Sequence, residues 1–323
     1  MKNNYFSHKL MENNISSKDL SAIVKFIKKK PILTSNIKVK EFEKKWSKWL
    51  GVKYSVFVNS GSSANLLSIA YLKTKYPKGE IIVPTLTWSS DISSVMHNNF
   101  KPVFVDINLS NLALSFVNLK KKINKKTIAI FLTHILGLNA LTKEIIKIAK
   151  KNNIIIIEDC CESHGAKFKG KKIGTFGLIS NFSFYYAHHM TTIEGGMIST
   201  NSRDVYETCR MLRGHGMVRE VSNEKILKLY QKKFPDLNSK FIFTHPAYNV
   251  RSTEINAVLG IEQLKKINKN IIKRNNNFKV WALRNATLFG FILVGRLATM
   301  SRGSAVGLST KGHAKRFCSY CGR

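Results

Sequence analysis

The segment YSVFVNSGSSANLLSIAYLKTK (54–75) joins a predicted strand to a predicted helix through a short polar loop. Its first five residues are mostly β-branched or aromatic, which is typical of a strand buried on both faces of a sheet. The stretch SANLLSIAYLKTK (63–75) has the pattern of a helix, and Gly61 permits a tight turn before it. A strand followed by a helix is the unit from which parallel sheets covered by helices are built.

The same unit repeats along the chain as far as residue 200. Further runs predict buried strands at IIVP (81–84), PVFVD (102–106), TIAIFL (127–132) and NIIIIED (153–159). Helical patterns lie at SDISSVMHNN (90–99), TKEIIKIAKKNN (142–153) and residues 252–277. We therefore expect an α/β fold with a mostly parallel central sheet covered by helices. Ligands in such sheets bind beyond the carboxyl ends of the strands, so loops 59–63, 85–88 and 159–162 should face one site.

The composition excludes several classes of protein. With 323 residues, 44% apolar and 10% aromatic, the chain has the make-up of a globular protein with a sizeable core. No apolar run approaches the length of a membrane span, and the polar MKNNYFSHKL (1–10) lacks the apolar core of a signal peptide. The five cysteines suggest no disulfide framework. We therefore predict a cytoplasmic protein without a membrane partner.

The net charge of +34 invites a nucleic-acid-binding interpretation. The 53 basic residues, however, comprise 42 Lys and only 11 Arg, and the Lys are scattered among Asn and Ile in the manner of AT-rich codon usage. Proteins that read nucleic acids favour Arg forks for contacts to phosphates and bases. The sequence therefore predicts no nucleic-acid partner, although a basic surface would attract a small polyanion such as a nucleotide-linked metabolite.

The composition changes near residue 280. Residues 1–280 contain 40 Lys and 6 Arg, whereas residues 281–323 contain 2 Lys and 5 Arg together with 6 of the 19 glycines. A frameshift, a chimeric junction or vector read-through would each explain the change, and a natural divergent tail is the alternative. We divide the chain into an N-terminal arm (1–15), a large domain (16–250), a long helix (251–280) and an atypical tail (281–323).

Two loops at strand ends carry candidate binding groups. In VNSGSSANLL (58–67), Ser62 and Ser63 at a helix start would form a phosphate cradle, although Ser is also a plain N-cap residue. In IIIIEDCCESHGA (154–166), Asp159 would hold a cationic ring nitrogen, bind a metal or merely cap a helix. Glu162 and His164 do not complete a recognised ligand spacing with it, and we expect no metal.

The adjacent histidines of YYAHHMTTIEGG (185–196) are the third candidate. His188 and His189 are too close in sequence to chelate one ion from a helix, where i,i+4 spacing is usual. A single histidine is more often structural than catalytic, so these residues alone leave both packing and proton transfer open.

Six motifs occur in a defined order: SGSSAN (60–65), PTLTWSS (84–90), IEDCCESHGA (157–166), FSFYYAHHMTTIEGGM (182–197), RGHGM (213–217) and YNVRSTEINAVLGIEQL (248–264). Together they resemble the DegT/DnrJ/EryC1/StrS aminotransferase family, pyridoxal 5′-phosphate (PLP) enzymes that act on nucleotide-linked keto sugars. The resemblance runs from about residue 15 to residue 277. It implies the large domain of a fold type I PLP-dependent transferase, with the small C-terminal domain of the relatives truncated or replaced here.

The resemblance also assigns roles to matching positions. It implies cofactor binding by Ser62, Ser63, Trp88, Asp159, Glu162, Ser183 and Asn249. The serines would hold the phosphate, Trp88 would lie on the pyridine ring, and Asp159 would pair with the pyridinium nitrogen and keep the ring an electron sink. Asn249 would reach the cofactor phosphate of a neighbouring subunit, which implies a homodimer with shared active sites.

One departure from the family pattern bears on the reaction. In aminotransferases of the family, a segment like SFYPxKxxTTGEGG carries the lysine that binds PLP, and the aligned position here is His188. An imidazole forms no stable imine but acts as a base near neutral pH. This replacement marks the family's 3-dehydratases. Glu162, where aminotransferases usually have Gln, and His215 in RGHGM fit the same subgroup, and we assign His215 and His189 to the sugar pocket.

The implied reaction is the 3-dehydration of a nucleotide-linked 4-keto-6-deoxy sugar. L-glutamate would convert PLP to pyridoxamine 5′-phosphate (PMP), and His188 would serve as base and as proton donor to the departing hydroxyl. A second dehydratase type, acting on CDP sugars, carries an iron–sulfur cluster, but residues 211–280 contain no cysteine, which favours a GDP-linked substrate. The alternatives are a nucleotide-sugar 4-aminotransferase and an inactive remnant of the family.

Overall fold

The computed structural model describes residues 13–285 of the chain. The expected arm (1–15) and atypical tail (281–323) therefore fall largely outside the described residues. Residues up to Ile271 form one compact unit, and those from Ile272 belong to a second. The fold below is that of the first unit.

Eleven strands occur in residues 13–285, seven of them in one sheet. They are β1 (Tyr54–Val58), β2 (Glu80–Pro84), β3 (Lys101–Val105), β4 (Ile107–Asn108), β5 (Ala113–Leu114), β6 (Thr127–Thr133), β7 (Ile155–Asp159), β8 (Lys167–Phe168), β9 (Lys171–Lys172), β10 (Ile179–Ser183) and β11 (Gly196–Thr200). The α-helices are α1 (Ser17–Ile27), α2 (Ile37–Leu50), α3 (Gly61–Lys75), α4 (Ser89–His97), α5 (Phe116–Lys122), α6 (Lys143–Lys151), α7 (Arg203–Arg213), α8 (Glu224–Lys233) and α9 (Glu254–Asn285). The predicted strands and helices are thus present, with small differences at their ends.

The central sheet has the strand order β1-β11-β10-β7-β6-β2-β3. The pairs β10–β7, β7–β6, β6–β2 and β2–β3 are parallel, whereas β11 runs antiparallel to both β1 and β10. The prediction of a mostly parallel sheet is therefore confirmed. The single reversed strand, β11, was not predicted.

Apolar side chains cover both faces of this sheet. One face packs Phe42 and Trp46 of α2 against Phe57, Phe182 and Phe184, all less than 1% exposed. The other face is covered by fully buried residues of α3, among them Leu67, Ile69 and Leu72. A fully buried side chain of this size contributes about 1.5–3 kcal/mol to stability. The sheet is thus packed on both faces, and polar side chains lie at the carboxyl ends of its strands.

Local capping fixes where the helix of the opening segment begins. Ser60 is the N-cap of α3, because its hydroxyl accepts a hydrogen bond from the Ser63 amide at 3.0 Å. The helix therefore begins at Gly61, two residues before the predicted start. As a result, Gly61 and Ser62 form the first turn directly at the edge of the sheet. Within residues 13–285, no helix has the length and apolar character required to cross a membrane.

Candidate active site

Asp159 is the last residue of β7 and lies at the carboxyl edge of the sheet. Its carboxylate is only 3% exposed. Oδ1 accepts a hydrogen bond from the Cys161 amide at 2.8 Å, and Oδ2 accepts one from Asn65 Nδ2 at 3.0 Å. A buried carboxylate held by two N–H donors is fixed in orientation and suits a cationic ligand atom.

A second carboxyl group, that of Asp91 in the first turn of α4, lies against Asp159 and is fully buried. Asn65 Nδ2 donates to Asp91 Oδ1 at 2.7 Å as well as to Asp159, so one amide group bridges the two acids. The hydroxyls of Thr87 and Thr133 contact Asp91 Oδ2. Burial, and next the charge of Asp159, raise the pKa of Asp91 well above its ordinary value. No motif in the sequence predicts a role in the site for Asp91 or its partners.

The start of α3 meets the end of β10 at the same edge. A β-carbon on Gly61 would lie 2.6 Å from Cβ of Ser183 and 3.0 Å from Sγ of Cys161, so only glycine allows this approach. The Ser63 hydroxyl donates to Asn59 Oδ1 at 2.6 Å, whereas Ser62 is exposed in the first turn of the 15-residue helix. The hydroxyls of Ser62 and Ser183 therefore border a helix N-terminus, which favours an anion.

A glycine turn closes against this helix start. A β-carbon on Gly196 would lie 2.1 Å from the carbonyl oxygen of Ser60 and 2.7 Å from the Gly61 amide nitrogen. A β-carbon on Gly195 would lie 2.1 Å from Thr192 Oγ1. The Glu-Gly-Gly stretch thus lets the chain pass directly over the loop at residues 60–61. The sequence pattern alone predicts no such packing role for these glycines.

Trp88 is the N-cap residue of α4 and stands one residue after Thr87, which contacts Asp91. Its indole is 66% exposed. A tryptophan so exposed, next to a buried acidic pair, offers an aromatic face to a flat ligand ring.

The two adjacent histidines lie on the loop between β10 and β11. The His188 amide donates to the carbonyl of Tyr185 at 3.0 Å, and the ring centroids of these residues are 6.2 Å apart. Beneath them lies the buried ring of His164, 6.1 Å from that of His188 and 5.1 Å from that of His189. The His189 carbonyl accepts a hydrogen bond from Asn270 at 3.1 Å. The loop therefore holds a half-buried imidazole at position 188.

The remaining predicted site residues lie on three other segments. Glu162 is half-buried and accepts a hydrogen bond from the Leu136 amide at 2.7 Å. His215 is exposed, has a φ of 65° and donates its amide proton to the Tyr248 carbonyl at 2.7 Å. Asn249 is exposed and pairs through its backbone with Gly214. His215 and Asn249 therefore share one irregular two-stranded segment beside α7.

A buried cluster of His134, Glu158 and Cys160 brings three metal-ligating atom types within 4.8 Å of one another. Glu158 nevertheless accepts hydrogen bonds from His134 Nε2 and from the amides of Gly174, Phe176 and Gly177, at 2.6–3.1 Å. Burial favours the neutral acid, but these bonds, led by that from His134, outweigh it and lower the pKa of Glu158. The cluster is a structural clamp on the turn at residues 174–177.

Comparison with known proteins gives one consistent family. A sequence profile of the DegT/DnrJ/EryC1/StrS aminotransferase family matches residues 13–294. The GDP-4-keto-6-deoxy-D-mannose 3-dehydratase of Yersinia pseudotuberculosis is 37% identical over 277 residues, which cover 84% of this chain and 70% of the relative. The enzyme of the same name from Escherichia coli O55:H7 is 40% identical over 245 residues, covering 74% and 63%. The chain thus spans about two thirds of the length of these relatives.

Solved structures agree with the sequence comparison. The E. coli GDP-4-keto-6-deoxy-D-mannose 3-dehydratase with bound hydrated PLP superposes with a TM-score of 0.79 at 34% identity, covering 86% of this chain and 72% of that one. A histidine-to-asparagine variant of GDP-4-keto-6-deoxymannose 3-dehydratase with bound GDP-perosamine superposes with a TM-score of 0.77 at 35% identity, covering 85% and 72%. A third structure of this dehydratase holds a trapped PLP–glutamate adduct and has a TM-score of 0.73 at 36% identity, covering 81% and 68%.

Proposed function

The chain belongs to the DegT/DnrJ/EryC1/StrS aminotransferase family, and from this membership we propose that it catalyses the PLP- and PMP-dependent 3-dehydration of a GDP-linked 4-keto-6-deoxy sugar. L-glutamate is the proposed amino donor. The observation that carries the proposal is His188 at the position of the family's PLP-binding lysine, on the loop that follows β10, the strand paired with β7. The similarity to two 3-dehydratases and to their PLP-bound structures supports it.

The residues at the sheet edge fit a pyridine cofactor with a phosphate group. The buried Asp159 carboxylate suits a protonated ring nitrogen, and the first turn of α3 with Ser62 and Ser183 suits a phosphate. Gly61 and Gly196 allow this turn to lie against β10 and β11, where side chains would otherwise fill the space. We therefore assign ring-nitrogen binding to Asp159 and phosphate binding to Ser62, Ser63 and Ser183.

The bound cofactor supplies an electron sink for the bonds that break at the sugar. Asp159 keeps the ring nitrogen protonated, and the exposed indole of Trp88 provides a flat surface for the ring. His188 accepts a proton at an imidazole nitrogen and returns it to the hydroxyl that leaves C3, so that water is the leaving group. Glu162, fixed by its bond to the Leu136 amide, is assigned to the cofactor pocket.

The substrate and partner assignments rest on charge and exposure. The net charge of +34 would attract the diphosphate of a nucleotide-linked sugar. We assign the binding of the keto sugar to His189 and His215. Asn249 is exposed, as a residue that reaches a neighbouring subunit must be, which supports the homodimer. Cys160, Cys161 and Cys209 are free thiols, which favours the reducing cytoplasm.

Two assays on the purified chain test this proposal. First, the absorbance spectrum after incubation with PLP should show binding, and addition of L-glutamate should convert PLP to PMP. Next, a GDP-linked 4-keto-6-deoxy sugar with glutamate should yield ammonia and a 3-deoxy-4-keto sugar. An amino sugar without ammonia would instead identify a 4-aminotransferase. A chain that binds no PLP would overturn both activities and leave the inactive remnant.

A further inference from the structure

The buried acidic pair of Asp91 and Asp159 has a feature that the proposed reaction does not explain. Both carboxyl groups are buried, and they contact each other. The groups that donate hydrogen bonds to Asp91 are the neutral side chains of Asn65, Thr87 and Thr133. Two adjacent buried carboxyl groups strongly disfavour double ionisation, as in other paired-acid sites.

The hydrogen bonds around Asp91 indicate where one proton resides. Asp91 Oδ2, Thr87 Oγ1 and Thr133 Oγ1 form a closed triangle, in which Thr133 lies 2.8 Å from the carboxyl oxygen and 2.7 Å from Thr87. The triangle has three oxygen–oxygen contacts, but the two threonines supply only two protons. A proton on Asp91 Oδ2 supplies the third.

The hydrogen bonds that Asp159 accepts from N–H groups favour the negative charge on that residue. Its Oδ1 and Oδ2 accept from the Cys161 amide and from the Asn65 side-chain amide, and these N–H groups only donate. Hydroxyl groups, in contrast, accept as readily as they donate, so Asp91 Oδ2, which contacts two hydroxyls, accommodates an added proton better than the oxygens of Asp159 do. The thiols of Cys160 and Cys161 are the other titratable neighbours, and burial, followed by the nearby carboxylates, raises their pKa well above the usual value. They therefore stay neutral.

We propose that Asp91 is a positioning residue that retains a proton at neutral pH, so that the pair carries a single negative charge located on Asp159. This rests on the proposed function, since Asp159 is the group assigned to the cationic ring of the cofactor. One charge on Asp159 then balances one charge on the ring nitrogen. The protonated acid also holds Asn65 and the two threonines in place around Asp159.

Infrared spectroscopy of the protein without added cofactor tests the proton directly. A protonated carboxyl group has a carbonyl stretching band that a carboxylate lacks, and this band shifts in D2O. We expect the band in the wild-type protein at neutral pH, and we expect Asp91→Asn to abolish it. Asp106→Asn is the matched control, because Asp106 is an exposed carboxylate that also contacts a threonine, Thr85, and this variant should keep the band.

The outcomes separate this proposal from the proposed function. Absence of the band in the wild type, a measurement that needs no variant, would overturn the protonated Asp91, as would a band that persists in a folded Asp91→Asn protein. PLP titration is an independent measurement: Asp159→Asn should lose binding, whereas the control Asp106→Asn should bind PLP as the wild type does. If the wild-type protein shows the infrared band but does not bind PLP, the proposed function is wrong and the protonated Asp91 still holds.

Discussion

The side chain at position 188 determines whether the site offers an amine for covalent attachment of PLP or an imidazole for proton transfer. We expect His188→Asn to bind PLP as the wild type does, but its conversion to PMP by L-glutamate should slow, because that conversion also needs a base to move a proton. Dehydration should slow by about 10²–10⁴-fold, the usual contribution of a positioned acid–base group. Ammonia release measures this step. His97→Asn, which alters an exposed histidine at the end of α4, should leave the rate unchanged.

His188→Lys gives the complementary result. The lysine should retain PLP on the denatured protein after borohydride reduction, detectable as an increase in mass, while dehydration is lost. Dehydration at the wild-type rate in either variant would contradict the assignment of His188.

The raised pKa of Asp91 has a consequence for the pH dependence of stability. The pKa of Asp91 in the folded protein lies above the ordinary value of 3.8, so the folded state holds the proton more tightly than the unfolded state does. The stabilising contribution is therefore complete below pH 3.8 and is lost as the pH rises toward the folded-state pKa, by about 1.4 kcal/mol per pH unit. Urea unfolding should be measured for the wild type and for Asp91→Asn across this pH range. The free energy of unfolding of the wild type relative to that of the variant should decrease as the pH rises. A constant difference would contradict the raised pKa.

Some residues of the site can be predicted from the sequence and others cannot, because only some of them lie in a recognisable motif. Asp159, His188 and Ser62 lie in contiguous motifs, so their positions were evident without coordinates. An aspartate in the first turn of a helix, such as Asp91, is ordinarily interpreted as a favourable charge near the helix N-terminus. Its burial depends on Asn65 and Thr133, which come from distant parts of the chain. The sequence contains no local signal of that contact.

At the scale of elements, the parallel strands were predictable because each is a short apolar run between a helix and a polar loop. The reversed strand β11 has the sequence GMIST, which begins with glycine and has two hydroxyl residues. Its five residues are nevertheless all buried, because β11 lies between β1 and β10. Position in the sheet outweighs strand propensity here, as is common for central strands.

The Glu158 clamp should contribute strongly to stability, because one buried carboxylate satisfies three backbone amides and His134. We expect Glu158→Gln to lower the free energy of unfolding by about 1–3 kcal/mol, since an amide replaces one acceptor oxygen by a donor. Urea denaturation followed by circular dichroism measures the change. Glu144→Gln, at an exposed position in α6, should change stability by less than about 0.5 kcal/mol. Equal effects of the two substitutions would contradict the clamp.

The contact between β11 and the start of α3 predicts a different phenotype. In Gly196→Ala, the added carbon would meet backbone atoms of Ser60 and Gly61, which cannot rotate away as a side chain would. The overpacked turn should lower stability by about 1–3 kcal/mol and weaken PLP binding, because the phosphate-binding turn must shift. Gly170→Ala, in a hairpin turn with open space around it, carries only the cost of its φ of 79° and should bind PLP normally. Normal PLP affinity in Gly196→Ala would refute the close approach.

At the scale of the whole molecule, charge and composition predicted less than the order of motifs did. A net charge of +34 is compatible with many functions, whereas six motifs in one order identified the family that the profile match confirms over residues 13–294. The assembly of subunits is a property that neither composition nor a single chain displays directly. The proposed homodimer depends on Asn249, which is exposed and to which we assign a contact with the cofactor phosphate of a partner subunit.

Complementation between two inactive variants tests this shared site. In a dimer of His188→Asn with Asn249→Asp, one active site combines both defects, while the other combines an intact His188 with an intact Asn249 from the partner. Random mixing by co-expression should therefore restore about a quarter of the wild-type dehydratase activity, although each variant alone is inactive. A chain carrying both substitutions, co-expressed with either single variant, should restore none. If the mixed variants stay inactive while size-exclusion chromatography shows a dimer, Asn249 acts within its own subunit, and the shared active site is wrong.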